Sequence, residues 1–103
     1  MSIEKDQVCV LIPTLNEAPT IGGLIMEFVS LGFRNILVID GHSSDGTRRI
    51  ASQAGARVIE QRARGKGTAI IEAFELIGEP YILMIDGDGV GQPNAAAASF
   101  LQR

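Results

Sequence analysis

A chain of 103 residues with 46% hydrophobic content can build one core but not two. Nine basic against twelve acidic residues give a net charge of −3, which excludes a broadly electropositive face, so no nucleic-acid partner is expected. One cysteine excludes an internal disulfide, and one cysteine with one histidine cannot form a typical structural zinc site.

The run "VCVLI" at 8–12 is short and rich in β-branched residues, as in a strand buried on both faces. "PTLNE" breaks it. Asn16 is placed to cap a following helix, Pro19 falls in its first turn, and Ile21, Leu24, Ile25, Phe28 and Leu31 recur at helical spacing up to Gly32. Gly22 and Gly23 each weaken that helix by roughly 1 kcal/mol, so packing has to hold it.

The same order then repeats. "NILVID" reads as a strand, "GHSSDGT" as a turn in which Ser44 and Asp45 cap the next helix, and "RRIASQA" as that helix, stopped by Gly55. "ARVIE" is a third strand, "QRARGKG" a turn and "TAIIEAFELI" a third helix, with Gly78 after it. "YILMID" is the fourth strand, "GDGVGQP" a loop, and the alanine-rich end a closing helix from about Asn94. Tyr81 and the phenylalanines read as core, as does Cys9. One helix between successive strands is the rhythm of a Rossmann-like α/β/α fold, three layers around a mainly parallel sheet. No run reaches the ~20 apolar residues of a membrane span, and "MSIEKDQ" lacks the apolar stretch of a secretion signal, so the cytoplasm is the expected compartment.

In open parallel sheets, ligands bind beyond the carboxyl ends of the strands. Those ends carry "PTLNE", then Asp40 with "GHSSD", then Arg62, Arg64 and Lys66, then Asp86 and Asp88. Right-handed crossovers bring all four clusters to one edge. Two carboxylates separated by one glycine repel each other unless a cation joins them, and a hard ion such as Mg²⁺ or Mn²⁺ suits their oxygens. "RARGKG" offers cations at a helix start, where phosphate oxygens are favoured. It is not a P-loop, and "PTLNE" is not the glycine fingerprint of a dinucleotide fold. Asp40 stands where an acidic residue commonly meets a ribose or base. His42 has no nucleophile evidently placed beside it, and no catalytic base is identified.

With these segments in view, the sequence resembles the family 2 glycosyltransferases of the GT-A fold, most nearly the dolichyl or polyprenyl phosphate mannose synthase-like branch. The residues that carry the likeness are "LIPTLNE", "ILVIDGHSSDGT", "GKGTAIIEAF" and "ILMIDGDG", in the family's order and spacing. The resemblance implies a nucleotide-diphosphate-sugar donor of the GDP-mannose or UDP-hexose type. Pro13 and Glu17 would line the nucleoside pocket, Asp40 would contact the nucleoside, Lys66 would lie near the donor, and Asp86 and Asp88 would hold the metal. It also implies an acceptor such as a polyprenyl phosphate, and a place at the cytoplasmic face of the membrane. Three departures stand out: Leu15 and Gly41 replace a common aromatic and a frequent second aspartate, Val90 stands where a glutamine can ligate metal, with Gln92 nearby, and, largest of the three, the chain is short. The family's catalytic domain is about twice this length. The expectation is therefore a single donor-binding domain over 1–103, incomplete on its C-terminal side, with self-association or a membrane-associated partner covering the exposed apolar surface. A sugar-1-phosphate nucleotidyltransferase fits less well, because it should carry a glycine-rich loop after its first strand. A donor-binding module without turnover is the principal alternative.

Overall fold

The computed structural model describes residues 3–86 and 97–102; for residues 66, 86 and 97–99 the description is of the backbone. Four parallel strands, β1 (Val8–Thr14), β2 (Asn35–Asp40), β3 (Arg57–Glu60) and β4 (Tyr81–Asp86), alternate with helices α1 (Ala18–Ser30), α2 (Thr47–Ala54) and α3 (Lys66–Leu76). A fifth strand, β5 (Ala97–Gln102), runs antiparallel beside β4, and the sheet order is β3-β2-β1-β4-β5.

The pleat of β1 explains the three layers. Successive side chains of a strand point to opposite faces. Val10 and Ile12 pack with Ile36 and Val38 of β2 beneath Ile21 and Ile25 of α1 and Ala51 of α2. Cys9 and Leu11 pack on the other face with Leu37, Ile39 and Ile82 beneath Ala69, Ala73 and Ile77. Both faces are therefore buried, as the continuous apolar runs require.

Gly22 and Gly23 have different roles. A methyl on Gly22 would come within 3.1 Å of Ile50 Cγ2, so this glycine sets how closely α2 approaches α1. A methyl on Gly23 would meet nothing within 4 Å. The helix-weakening residue is thus needed at the first position alone.

The alanine-rich end is a correction. A closing helix was expected there, yet residues 97–102 form β5, paired with β4 from Tyr81↔Gln102 to Asp86↔Ala97. Alanine favours helix in isolation, but the open edge of β4 offers a whole ladder of backbone hydrogen bonds, and the Phe100 ring stacks on Tyr81 at 5.5 Å. Tertiary pairing outweighs local preference. The aromatic residues are likewise not all core, since Phe74 is 36% and Phe100 51% exposed. Among the described residues no helix is long and apolar enough to cross a membrane.

Candidate functional site

The parallel register aligns the carboxyl ends of the strands. Thr14 lies opposite Asp40, and Asp40 opposite Glu60, so β1, β2 and β3 end in one row. The chain moves outward from β1 to β3, then α3 carries it back across the sheet to β4 on the other side of β1. That reversal makes the crevice between the ends of β1 and β4 a topological switch point, the usual ligand position in such sheets. Pro13 is half-buried on one side of it, and Asp86 ends the strand on the other. Asp88 lies outside the described residues.

Asp40 is the hub of this edge. It has no exposed surface, and its carboxylate accepts from Thr14 Oγ1 at 2.6 Å, Ser43 Oγ at 2.6 Å, Ser43 N–H at 2.8 Å and Arg48 Nη1 at 2.9 Å. Burial pushes its pKa up, but the hydrogen bonds from Ser43, Thr14 and Arg48 outweigh burial and hold it below the ordinary aspartate value. A nucleoside contact by Asp40 would have to displace one of these partners. The same Arg48 nitrogen reaches Glu60 Oε2 at 3.1 Å, and His42 Nδ1 lies 3.7 Å from Glu60 Oε1.

The loop after β2 also grips the start of α1. Asn16 N–H donates to Ser43 Oγ, Glu17 N–H to Thr47 Oγ1 and Ala18 N–H to Asp45 Oδ2, at 2.7, 2.9 and 3.1 Å. Asn16 Oδ1 in turn accepts from Ser44 N–H at 2.9 Å. Asn16 and Asp45 are therefore not simple helix caps. Glu17 is the N-cap of α1 and Gly46, left-handed at φ 88°, is that of α2; Asp45 joins the two helix starts while accepting from Thr47 N–H at 3.1 Å and from the Thr47 hydroxyl. A hydrogen bond from Thr47, together with those from Ala18 and Thr47 N–H, holds the Asp45 carboxyl below its usual range.

This grip has a chemical consequence. In dinucleotide folds the first helix offers its free N-terminal amides to pyrophosphate. Here three consecutive amides at that place are already used by side chains.

The loop after β3 is shaped from within. Glu72 on α3 accepts from Arg62 N–H at 2.8 Å and Ala63 N–H at 3.0 Å, and these bonds hold its carboxyl below the usual range. Gln61 closes the loop by donating from Nε2 to Gly65 O at 2.6 Å and Thr68 Oγ1 at 3.0 Å. Gly65, at φ 100°, precedes Lys66, the first residue of α3. The exposed Arg62 and Arg64 therefore sit on a fixed turn at the same edge.

The metal expected at the end of β4 would rest on Asp86 and Asp88. Asp86 and Asp88 offer hard carboxylate oxygens, which suit Mg²⁺ or Mn²⁺. Among the described residues no cluster of three or more His, Cys, Asp or Glu could hold a metal; the side chain of Asp86 and the whole of Asp88 lie outside them.

The sequence pointed to Asp40, and to Thr14 and Ser43 only as members of the polar strand-end segments "PTLNE" and "GHSSD", but not to Thr47, Arg48 or Gln61. The readable signal was position, since Thr14 and Asp40 both end strands; that the two strands are adjacent and in register is given by the structure. The long side-chain links could not be read from spacing.

An α/β domain with its polar loops gathered at the carboxyl edge of a parallel sheet belongs to the large class that binds small ligands at a switch point. Residues 9–100 match the model of Glycosyl transferase family 2, and the chain belongs to that family. It is 55% identical over 85 residues to Glycosyltransferase AglJ of Haloferax volcanii, covering 82% of this chain and 28% of that protein. Dolichyl-phosphate hexose transferase of the same organism is 34% identical over 85 residues, covering 81% of this chain and 37% of that protein. Among solved structures, glucosyl-3-phosphoglycerate synthase from Mycobacterium tuberculosis in complex with Mn²⁺, UDP-glucose and phosphoglyceric acid superposes with a TM-score of 0.72 at 28% identity, over 79% of this chain and 33% of that one. The fold is of the GT-A type, and this chain spans about a third of the length of these relatives.

Proposed function

We propose that this chain is the donor-binding part of a glycosyltransferase, holding a nucleotide-diphosphate-sugar of the UDP-hexose or GDP-mannose type. The carrying observation is the use of the Asn16, Glu17 and Ala18 amides, leading into α1, by Ser43, Thr47 and Asp45. With that anion site closed, the diphosphate has to be met elsewhere on the edge, and the end of β4 with the basic turn at α3 remain. Asp86 and Asp88 would hold Mg²⁺ or Mn²⁺, which when bound neutralises charge on the leaving diphosphate. Pro13 and Glu17 would border the nucleoside, Asp40 would hold the loops around it, and Lys66 would lie beside the donor. The Mn²⁺ and UDP-glucose named with the mycobacterial synthase support this donor chemistry. A phosphorylated acceptor is in keeping with that structure's phosphoglyceric acid, and a polyprenyl phosphate with the dolichyl-phosphate relative; such an acceptor would bring the chain to the cytoplasmic membrane face.

The test is calorimetric titration with GDP-mannose, UDP-glucose and the free diphosphates, in Mn²⁺ and in chelator, repeated on Asp88→Ala. Binding that needs both metal and Asp88 is expected; no binding by a folded chain overturns the reading. Because the chain spans 28% of AglJ, a second reading is a module that binds donor without turnover. Donor binding with no transfer to any phosphorylated acceptor distinguishes it.

A further inference from the structure

We infer that Gln61 reads the nucleobase, accepting through Oε1 the ring N–H of a uracil- or guanine-type base. This rests on the nucleotide-sugar reading above and adds its base specificity. Gln61 follows β3, and its N–H extends the ladder by donating to Asp40 O at 2.7 Å. The residue is 5% exposed. Its amide orientation follows from chemistry: Gly65 O can only accept, so the nitrogen must face it. The oxygen is therefore turned the other way, towards Gly41.

A methyl on Gly41 would stand 3.4 Å from Gln61 Oε1, 3.5 Å from Thr14 O and 4.0 Å from Leu15 Cδ1. An acceptor, a backbone carbonyl and an apolar side chain thus surround a space that a glycine leaves open. Among the described residues the hydrogen bonds of Gln61 are made by its backbone N–H and by Nε2. No buried side-chain polar atom there lacks a partner, so Oε1 is not sealed but keeps part of the residue's small exposure. Thr14 O already accepts Gly41 N–H at 2.9 Å, which leaves Oε1 as the oriented acceptor. Leu15, 59% exposed, supplies an apolar surface beside it for a flat ring.

Uracil N3–H and guanine N1–H can donate to such an oxygen. Cytosine N3 and adenine N1 carry lone pairs there and are repelled. One such hydrogen bond gives about tenfold discrimination.

The experiment is titration of the chain in Mn²⁺ with UDP, GDP, CDP and ADP, together with N3-methyl-UDP and N1-methyl-GDP, and then of Gln61→Met and Gly41→Ala, with folding checked by circular dichroism. UDP or GDP is expected to bind about tenfold tighter than CDP and ADP, and the matching methylated analogue to lose that advantage. Both variants should bring the preferred nucleotide down to the CDP level. Gly41 is not among the positive-φ glycines, so Gly41→Ala fits the backbone and keeps the test decisive if Gln61→Met does not fold. Discrimination that survives in a folded variant, or equal binding of all the diphosphates, overturns the Gln61 assignment and leaves the donor reading standing. No binding of any of them to folded protein overturns both.

Discussion

Thr14 Oγ1 donates to Asp40 Oδ1 at 2.6 Å, joining the ends of the first two strands through a carboxylate with no exposed surface. Ser43 and Arg48 complete the same group, so one aspartate fixes β1, β2, the following loop and α2 together.

Asp40→Ala leaves those donors without their acceptor and should destabilise the fold by about 3 kcal/mol. Asp40→Asn should be milder. Its NH₂ can face the hydroxyls of Thr14 and Ser43, which are able to accept, while its oxygen serves Ser43 N–H and Arg48. Urea unfolding measures both; equal stability of Asp40→Ala and the parent would contradict the hub.

The sign of the pH dependence follows from the same bonds. A carboxyl held below its ordinary value contributes stability that is complete above the unfolded pKa, about 4, and is lost as pH falls through the folded value. Asp45 and Glu72 are shifted in the same direction and add to the loss. Urea midpoints should therefore be flat near neutrality and fall below about pH 4, with a shallower fall in Asp40→Asn.

The two glycines of α1 should separate by sign. Gly23→Ala gains helix propensity at no steric expense and should stabilise by about 1 kcal/mol. Gly22→Ala must push Ile50 from a 3.1 Å contact and should destabilise by about 1 kcal/mol despite the same gain. Thermal unfolding of the pair decides this.

The link from Asp45 to the start of α1 is best read by hydrogen exchange. In Asp45→Ala the amides of Ala18 and Thr47 should exchange faster, while those in the middle of β1 stay protected. Uniform loss of protection would mean that Asp45 supports the whole fold rather than the junction.

Cys9 lies 3% exposed in β1, and burial, with Glu79 nearby, pushes its thiol up to about 11. Labelling by a disulfide reagent at pH 8 should be slow in native protein and become fast in denaturant. Fast native labelling would place this thiol outside the core.

The succession of strands and helices, the burial of both sheet faces and the edge that bears the polar loops were legible in the chain, because apolar periodicity and turn residues act locally. "VCVLI" and "NILVID" could hardly be anything but buried strands, and Asp40 and Asp86 ended strands by sequence position alone. The order β3-β2-β1-β4 was not legible, since it depends on where α3 crosses back. Nor was β5: "AAASF" prefers helix locally, and the unpaired edge of β4 decided otherwise. The tertiary structure alone turned Asn16 and Asp45 from caps into links between two loops, placed Gln61 Oε1 over the bare backbone of Gly41, and occupied the amides of Asn16, Glu17 and Ala18. Such contacts join residues about 20 to 30 positions apart, and a pairwise hydrogen bond over that separation leaves no period or spacing in a single sequence.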